Sequence, residues 1–264
     1  MLTIMSDLFS VIIPDTLAYY YSNTPTQGGY GYSSLTFLGL GLILLAALAG
    51  SIIRNKMMAA MQEYSAQPAP FSGAEIAAKM LADNGLNNVR ITHTPGELTD
   101  HYNPANHSVN LSESVYAERT VAAMAVAAHE CGHAIQHAQA YPWLSMRSQL
   151  VPIVNLGSRL GQIVLTIGLI LVAAGGGTTI AWVGLLLFAT TTVFALVTLP
   201  VEFDASRRAL AWMQRSGVAD RTMHGQAGTA LKWAAMTYVA AALSSIAMLV
   251  YYIFILLNSS RDNR

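Results

Sequence analysis

His129-Glu130-Cys131-Gly132-His133 sets two imidazoles four residues apart, with a carboxylate directly after the first. On a helix, positions four apart share a face, so both rings can reach one metal ion. Glu130 projects beside them, where a carboxylate can take a proton from a water that the metal activates. The spacing H-E-x-x-H is that of a zinc site with its own general base, still short of a third protein ligand.

The element that must carry the motif is a helix. Residues 117–140 are rich in Ala and contain no Pro. That composition predicts a helix over 117–140, begun by Glu118 and Arg119, with Pro142 just past its end. Cys131, the single cysteine, excludes an internal disulfide framework and reads as a small packing residue rather than a ligand.

Around that helix the chain is built for lipid. Of its 264 residues 53% are hydrophobic and 11% charged, less than half the charged share of a soluble domain. Apolar stretches, free of charge but for Arg159, predict membrane spans at 35–53, 151–174, 180–199 and 234–257, each long enough to cross a bilayer. Gly175-Gly176-Gly177 divides the middle pair into a hairpin. Residues 1–34, Tyr-rich over 19–32, read as an extracytoplasmic or interfacial segment, and 258–264 as a tail. Tyr238 and the pair Tyr251-Tyr252 read as interface aromatics at the ends of the last span. A net charge of zero gives no argument for nucleic acid.

Charge placement orients the spans. All Lys and Arg residues lie after residue 53, concentrated in 54–159 and 200–233. The positive-inside rule puts those two segments in the cytoplasm. The motif (in 54–150) and the stretch Pro200-Val201-Glu202-Phe203-Asp204-Ala205-Ser206 then meet on one side, because a two-span hairpin returns the chain. A third ligand from 200–233 is therefore reachable. His137 is not that ligand, since eight residues advance a helix about 12 Å, too far for one ion. If Pro200 starts a helix, Glu202 and Asp204 point about 200° apart, so only one can face the metal. Glu202 shares its face with Ala205, Ser206 and Ala209, which permit close packing, and is favoured. Asp204, at helical spacing from Arg207 and Arg208, reads as an ion pair or as a hydrogen-bonding partner behind a ligand histidine.

H-E-C-G-H, a hairpin of spans, then E-F-D-A-S resembles the YugP-like neutral zinc metallopeptidases of bacterial membranes. The resemblance covers most of the chain, including Leu98–Tyr116 (LTDHYNPANHSVNLSESVY). It implies a zinc peptidase of the bacterial plasma membrane with gluzincin-type ligation: His129, His133 and a Glu. The layout is more distantly similar to the HtpX and CAAX-prenyl-protease metallopeptidases. Those follow their Glu with Asp in E-x-x-x-D, where this chain has Ser206.

The expected architecture is a mainly α membrane protein with about four transmembrane helices. A zincin-like metallopeptidase domain with a small β-hairpin or sheet would sit at its cytoplasmic face. Before the motif, a helix opens at Ser72-Gly73-Ala74-Glu75 and closes near Gly85. A strand follows at 89–92, and a hairpin joins His101-Tyr102 to 108–111 around Asn103-Pro104-Ala105-Asn106. A strand edge there could hold an extended peptide by main-chain bonds. His93, His101 and His107 read as surface or turn residues. The expected chemistry is hydrolysis of peptide bonds in membrane or membrane-proximal proteins. Zn2+ would be held by His129, His133 and Glu202, with Glu130 as general base. His224 is the first candidate for the donor to the oxyanion, with Tyr141 and Arg208 behind it. The alternatives are an intramembrane-cleaving protease with an Asp ligand, or a non-catalytic scaffold or chaperone that keeps a vestigial site.

Overall fold

The computed structural model describes residues 34–262. The predicted N-terminal segment, with its Tyr-rich run, lies outside the described residues except for Ser34. The order is α1 (Ser34–Ser65), α2 (Gly73–Asp83), β1 (Arg90–Thr94), β2 (His101–Asn103), β3 (Ser108–Ser112), α3 (Glu113–Tyr116), α4 (Val121–Ala138), α5 (Pro142–Ala173), α6 (Thr179–Ser216) and α7 (Arg221–Asp262). The chain divides into two compact units.

One unit comprises residues 50–148 and 197–240. Its core is built by α2, α3, α4, the sheet and the parts of α6 and α7 that carry Met213 and Leu231, with Ile76, Met80, Val109, Leu111 and Met124 all fully buried. The start of α2 carries a complete capping box. The Ser72 hydroxyl accepts from the Glu75 N–H, and the Glu75 carboxylate accepts from the Ser72 N–H. Two of the helix's orphan donors are thereby satisfied, as the sequence S-x-x-E predicts. The sheet order is β1-β3-β2, with β1 parallel and β2 antiparallel to β3. The predicted hairpin thus supplies β2 and β3, and β2 is an edge strand.

The motif helix begins later than the sequence suggested. Thr120 is its N-cap, accepting from the Ala123 N–H, so Glu118 and Arg119 precede the helix. Arg119 instead pairs with Glu75 and the carbonyl of Pro70. Backbone bonds from Ala69 N to Arg119 O and from Val121 N to Gln67 O tie the segment after α1 to this start. A hydroxyl cap outcompetes a charged first turn because it satisfies an orphan N–H directly. Pro142 opens α5, where its missing N–H costs nothing.

Pro200 also departs from expectation. It does not start a helix but lies inside α6, which runs unbroken from the apolar 180–199 stretch to Ser216. Proline lacks the N–H that would bond the carbonyl four residues back, yet such residues are tolerated where neighbouring helices hold the segment. The consequence is that Glu202 rides on one continuous helix. Its neighbours Val201, Ala205, Ala209 and Met213 are fully buried.

Among the described residues, the second unit comprises 34–49, 149–196 and 241–262. Leu165, Ala181, Leu185, Phe188, Tyr252 and Leu256 form its core. The α5–α6 hairpin crosses closely through glycine. A methyl at Gly168 would strike the backbone of Ala181, and one at Gly184 the backbone of Leu165. Gly157 and Gly161, a small-xxx-small pair in the sequence, also face α6, at Thr190 and at Leu187-Phe188. Outward lie large apolar side chains such as Leu45 and Leu186, 65% and 73% exposed. Together with four helices long and apolar enough to cross a membrane, that surface is suited to lipid rather than to water.

Candidate metal centre

His129 and His133 project from one face of α4, and α6 brings Glu202 to them. Glu202 Oε2 lies 3.2 Å from His129 Nε2 and 3.7 Å from His133 Nε2. These three are a group of side chains able to share one metal ion. Ligands at about 2.0–2.2 Å in a tetrahedron are about 3.3–3.6 Å apart, close to the two separations that Glu202 makes. A glycine makes the approach possible. A methyl at Gly132 would sit 2.6 Å from the carbonyl oxygen of Ala205, so the two helices meet backbone to backbone between the ligands.

Each ligand is held from behind. His129 Nδ1 lies 3.1 Å from Ser206 Oγ, the residue that stands where E-x-x-x-D sequences have Asp. His133 Nδ1 lies 3.0 Å from Gln136 Oε1. The Gln136 amide in turn donates to the carbonyl of Val201 (2.8 Å) and to Asp204 Oδ2 (2.9 Å). Glu202 divides its oxygens: Oε2 faces the imidazoles, while Oε1 accepts from Arg147 Nη1 at 3.0 Å. Tyr238 of α7 also hydrogen-bonds the Glu202 side chain. A buried carboxylate needs such donors when no metal is near.

Glu130 is buried beside the triad. Its Oε2 accepts from the Tyr102 N–H of β2 at 2.8 Å, which ties the base to the edge strand. Burial pushes its carboxyl up to about 7, and the neighbouring His129 opposes the shift. That range suits a group that takes and returns a proton near neutrality. Burial drives the Cys131 thiol far upward, so it stays a protonated packing group.

The sequence-derived residues separate clearly. His129, Glu130, His133 and Glu202 come together. Asp204 reaches neither ligand histidine directly. It is buried, pairs with Arg207 and Arg208, and touches the site through Gln136. His224 is not brought to the triad: its Nε2 lies 3.2 Å from the carbonyl of Leu210, eight residues along α6 from Glu202. Tyr141 faces the carbonyl of Pro200 and Arg208 contacts Gln139, so both are engaged away from the ligands. His137 ends α4 and meets the Tyr102 hydroxyl at 2.8 Å, while His93, His101 and His107 are exposed.

Three residues at the site escaped the sequence reading. Gln136 stands three residues after His133, a helical spacing that was available as a signal. Tyr238 was read as an interface aromatic, and Arg147 drew no reading because nothing local marks it.

The comparisons agree with this geometry. A family model described as "Putative neutral zinc metallopeptidase" matches residues 38–257. The "Putative membrane protease YugP" of Bacillus subtilis (strain 168) is 37% identical over 231 residues, 87% of this chain and 98% of that protein. No solved structure matches significantly.

Proposed function

Because the chain belongs to that neutral zinc metallopeptidase family, we propose that it is a membrane-embedded gluzincin-type endopeptidase that cleaves membrane or membrane-proximal proteins. The observation that carries this reading is the meeting of Glu202 Oε2 with both Nε2 atoms of the H-E-x-x-H pair, beside a buried Glu130. His129, His133 and Glu202 hold the zinc. When bound, the ion supplies the Lewis acidity that polarises a scissile carbonyl and acidifies water.

The chain's own residues do the rest. Glu130 takes the proton of the attacking water and returns it to the leaving amine, and the Tyr102 N–H keeps that carboxylate aimed. The edge strand β2, whose Tyr102 N–H bonds Glu130, lies beside the site where an extended peptide substrate would run. Tyr238 replaces His224 as the donor assigned to the developing oxyanion, because it stands at Glu202 whereas His224 is spent on Leu210. The basic segments 54–159 and 200–233 support a cytoplasmic-face site in the plasma membrane of a bacterium.

The deciding experiment uses the full chain purified in detergent. Metal analysis should find one zinc per chain, and cleavage of a membrane-protein substrate should stop on chelation. Glu130→Gln should keep zinc and fold but lose cleavage. Cleavage that survives this substitution refutes the mechanism.

A further inference from the structure

Gln136 follows His133 by three residues on α4, fully buried. Its amide makes three contacts, and their chemistry leaves it one orientation. The Val201 carbonyl can only accept. Asp204 receives Arg207 and Arg208, whose guanidinium groups only donate, so its oxygens act as acceptors. The end of Gln136 that faces both Val201 O and Asp204 Oδ2 must therefore be the NH2 group. Its carbonyl oxygen is then turned to His133 Nδ1 at 3.0 Å, and an oxygen there requires that Nδ1 carry the hydrogen.

A neutral imidazole with hydrogen on Nδ1 has its lone pair on Nε2, the atom that faces Glu202 Oε2. The relay from Asp204 through Gln136 thus reaches the metal face of His133. His129 lacks this constraint, because its partner Ser206 can donate or accept. We infer that Gln136 is a positioning residue of the metal centre: fixed by Val201 and Asp204, it holds His133 in the ring orientation and tautomer that present Nε2 to zinc. This rests on the zinc reading above and adds a residue that sets metal affinity without touching the metal.

The test measures zinc affinity of the full-length protein in detergent by competition with a chromophoric chelator. Gln136→Leu removes the acceptor and should weaken zinc about 10- to 100-fold, the usual effect of losing a partner behind a ligand histidine. In the zinc-loaded wild type, 15N-histidine NMR should show ligation of His133 through Nε2 and a slowly exchanging, hydrogen-bonded proton on Nδ1. That measurement stands even if the Leu variant fails to fold. Ligation through Nδ1, or Leu-variant affinity within threefold of wild type, would each overturn the proposal alone. A wild type that takes up no zinc refutes the metal reading first.

Discussion

Gly132→Ala tests whether the close approach of two helices builds the metal site. The added methyl would lie 2.6 Å from the Ala205 carbonyl oxygen and 3.1 Å from its Cα and carbonyl carbon. All three are backbone atoms, so no side chain can rotate away. An ordinary contact requires α6 to retreat by about 0.8 Å or more. Ala205 is one turn from Glu202 on the same helix, so the ligand retreats too, whereas zinc bonds tolerate only about 0.2 Å. Metal-free protein can relax outward, but loading zinc must draw the helices back against an overpacking cost of about 1–3 kcal/mol. That cost corresponds to zinc binding weakened roughly 5- to 150-fold. The assay is chelator competition on the purified full chain, with circular dichroism to confirm helix content. Cys131→Ala is the control, because it changes the neighbouring buried position without adding volume and should leave zinc affinity near wild type. A Gly132→Ala protein that binds zinc as wild type does would refute the claim that this backbone contact sets the ligand distance.

Arg147→Met strands a buried carboxylate and should cost about 3–5 kcal/mol of stability in the metal-free protein. The drop in melting temperature should be smaller with zinc present, because the ion then balances Glu202; equal drops in both states would contradict the assigned pairing. Tyr238→Phe should keep zinc and lower kcat about 100- to 1,000-fold if the hydroxyl meets the oxyanion. An unchanged kcat removes Tyr238 from that role. Gly184→Ile forces a side chain into the backbone of Leu165, and should lower the yield of folded protein in detergent while Gly177→Ile, where an added methyl meets nothing, does not.

How much of this was legible in the sequence depends on the range of each signal. The motif, the α2 capping box, the hairpin at Asn103-Pro104 and the apolar stretches are local patterns, and local patterns are what a linear sequence displays. The approach of Glu202 to the motif was legible for a less obvious reason. Charge asymmetry returned the segment beginning at Pro200 to the motif's side, and small residues at 205, 206 and 209 marked the face that packs. Boundaries were harder. Thr120 displaced Glu118 and Arg119 as the start of α4 because a side-chain cap to one N–H is decided by geometry that composition does not carry. Pro200, a residue type that usually opens a helix, lies inside α6, because a missing hydrogen bond is tolerated where neighbouring helices hold the segment.

The residues behind the ligands were the least legible, and physics explains which ones. Gln136 acts through a network whose other members lie 65 and 68 residues away, so its role exists only once α4 and α6 meet. Arg147 likewise lies 55 residues from Glu202, and Tyr238 comes from a third helix. Ligands are constrained in residue type by the metal, which gives a motif. Their supports are constrained only to supply a donor or an acceptor at one point in space, which many residue types on any element can do. This explains why Ser206 can serve His129 where E-x-x-x-D sequences have Asp, and why Asp204, two residues away in sequence, reaches the site only through another side chain. In such a centre the metal-binding pattern should tolerate no exchange. The supporting shell should tolerate paired exchanges that conserve the sense of each hydrogen bond.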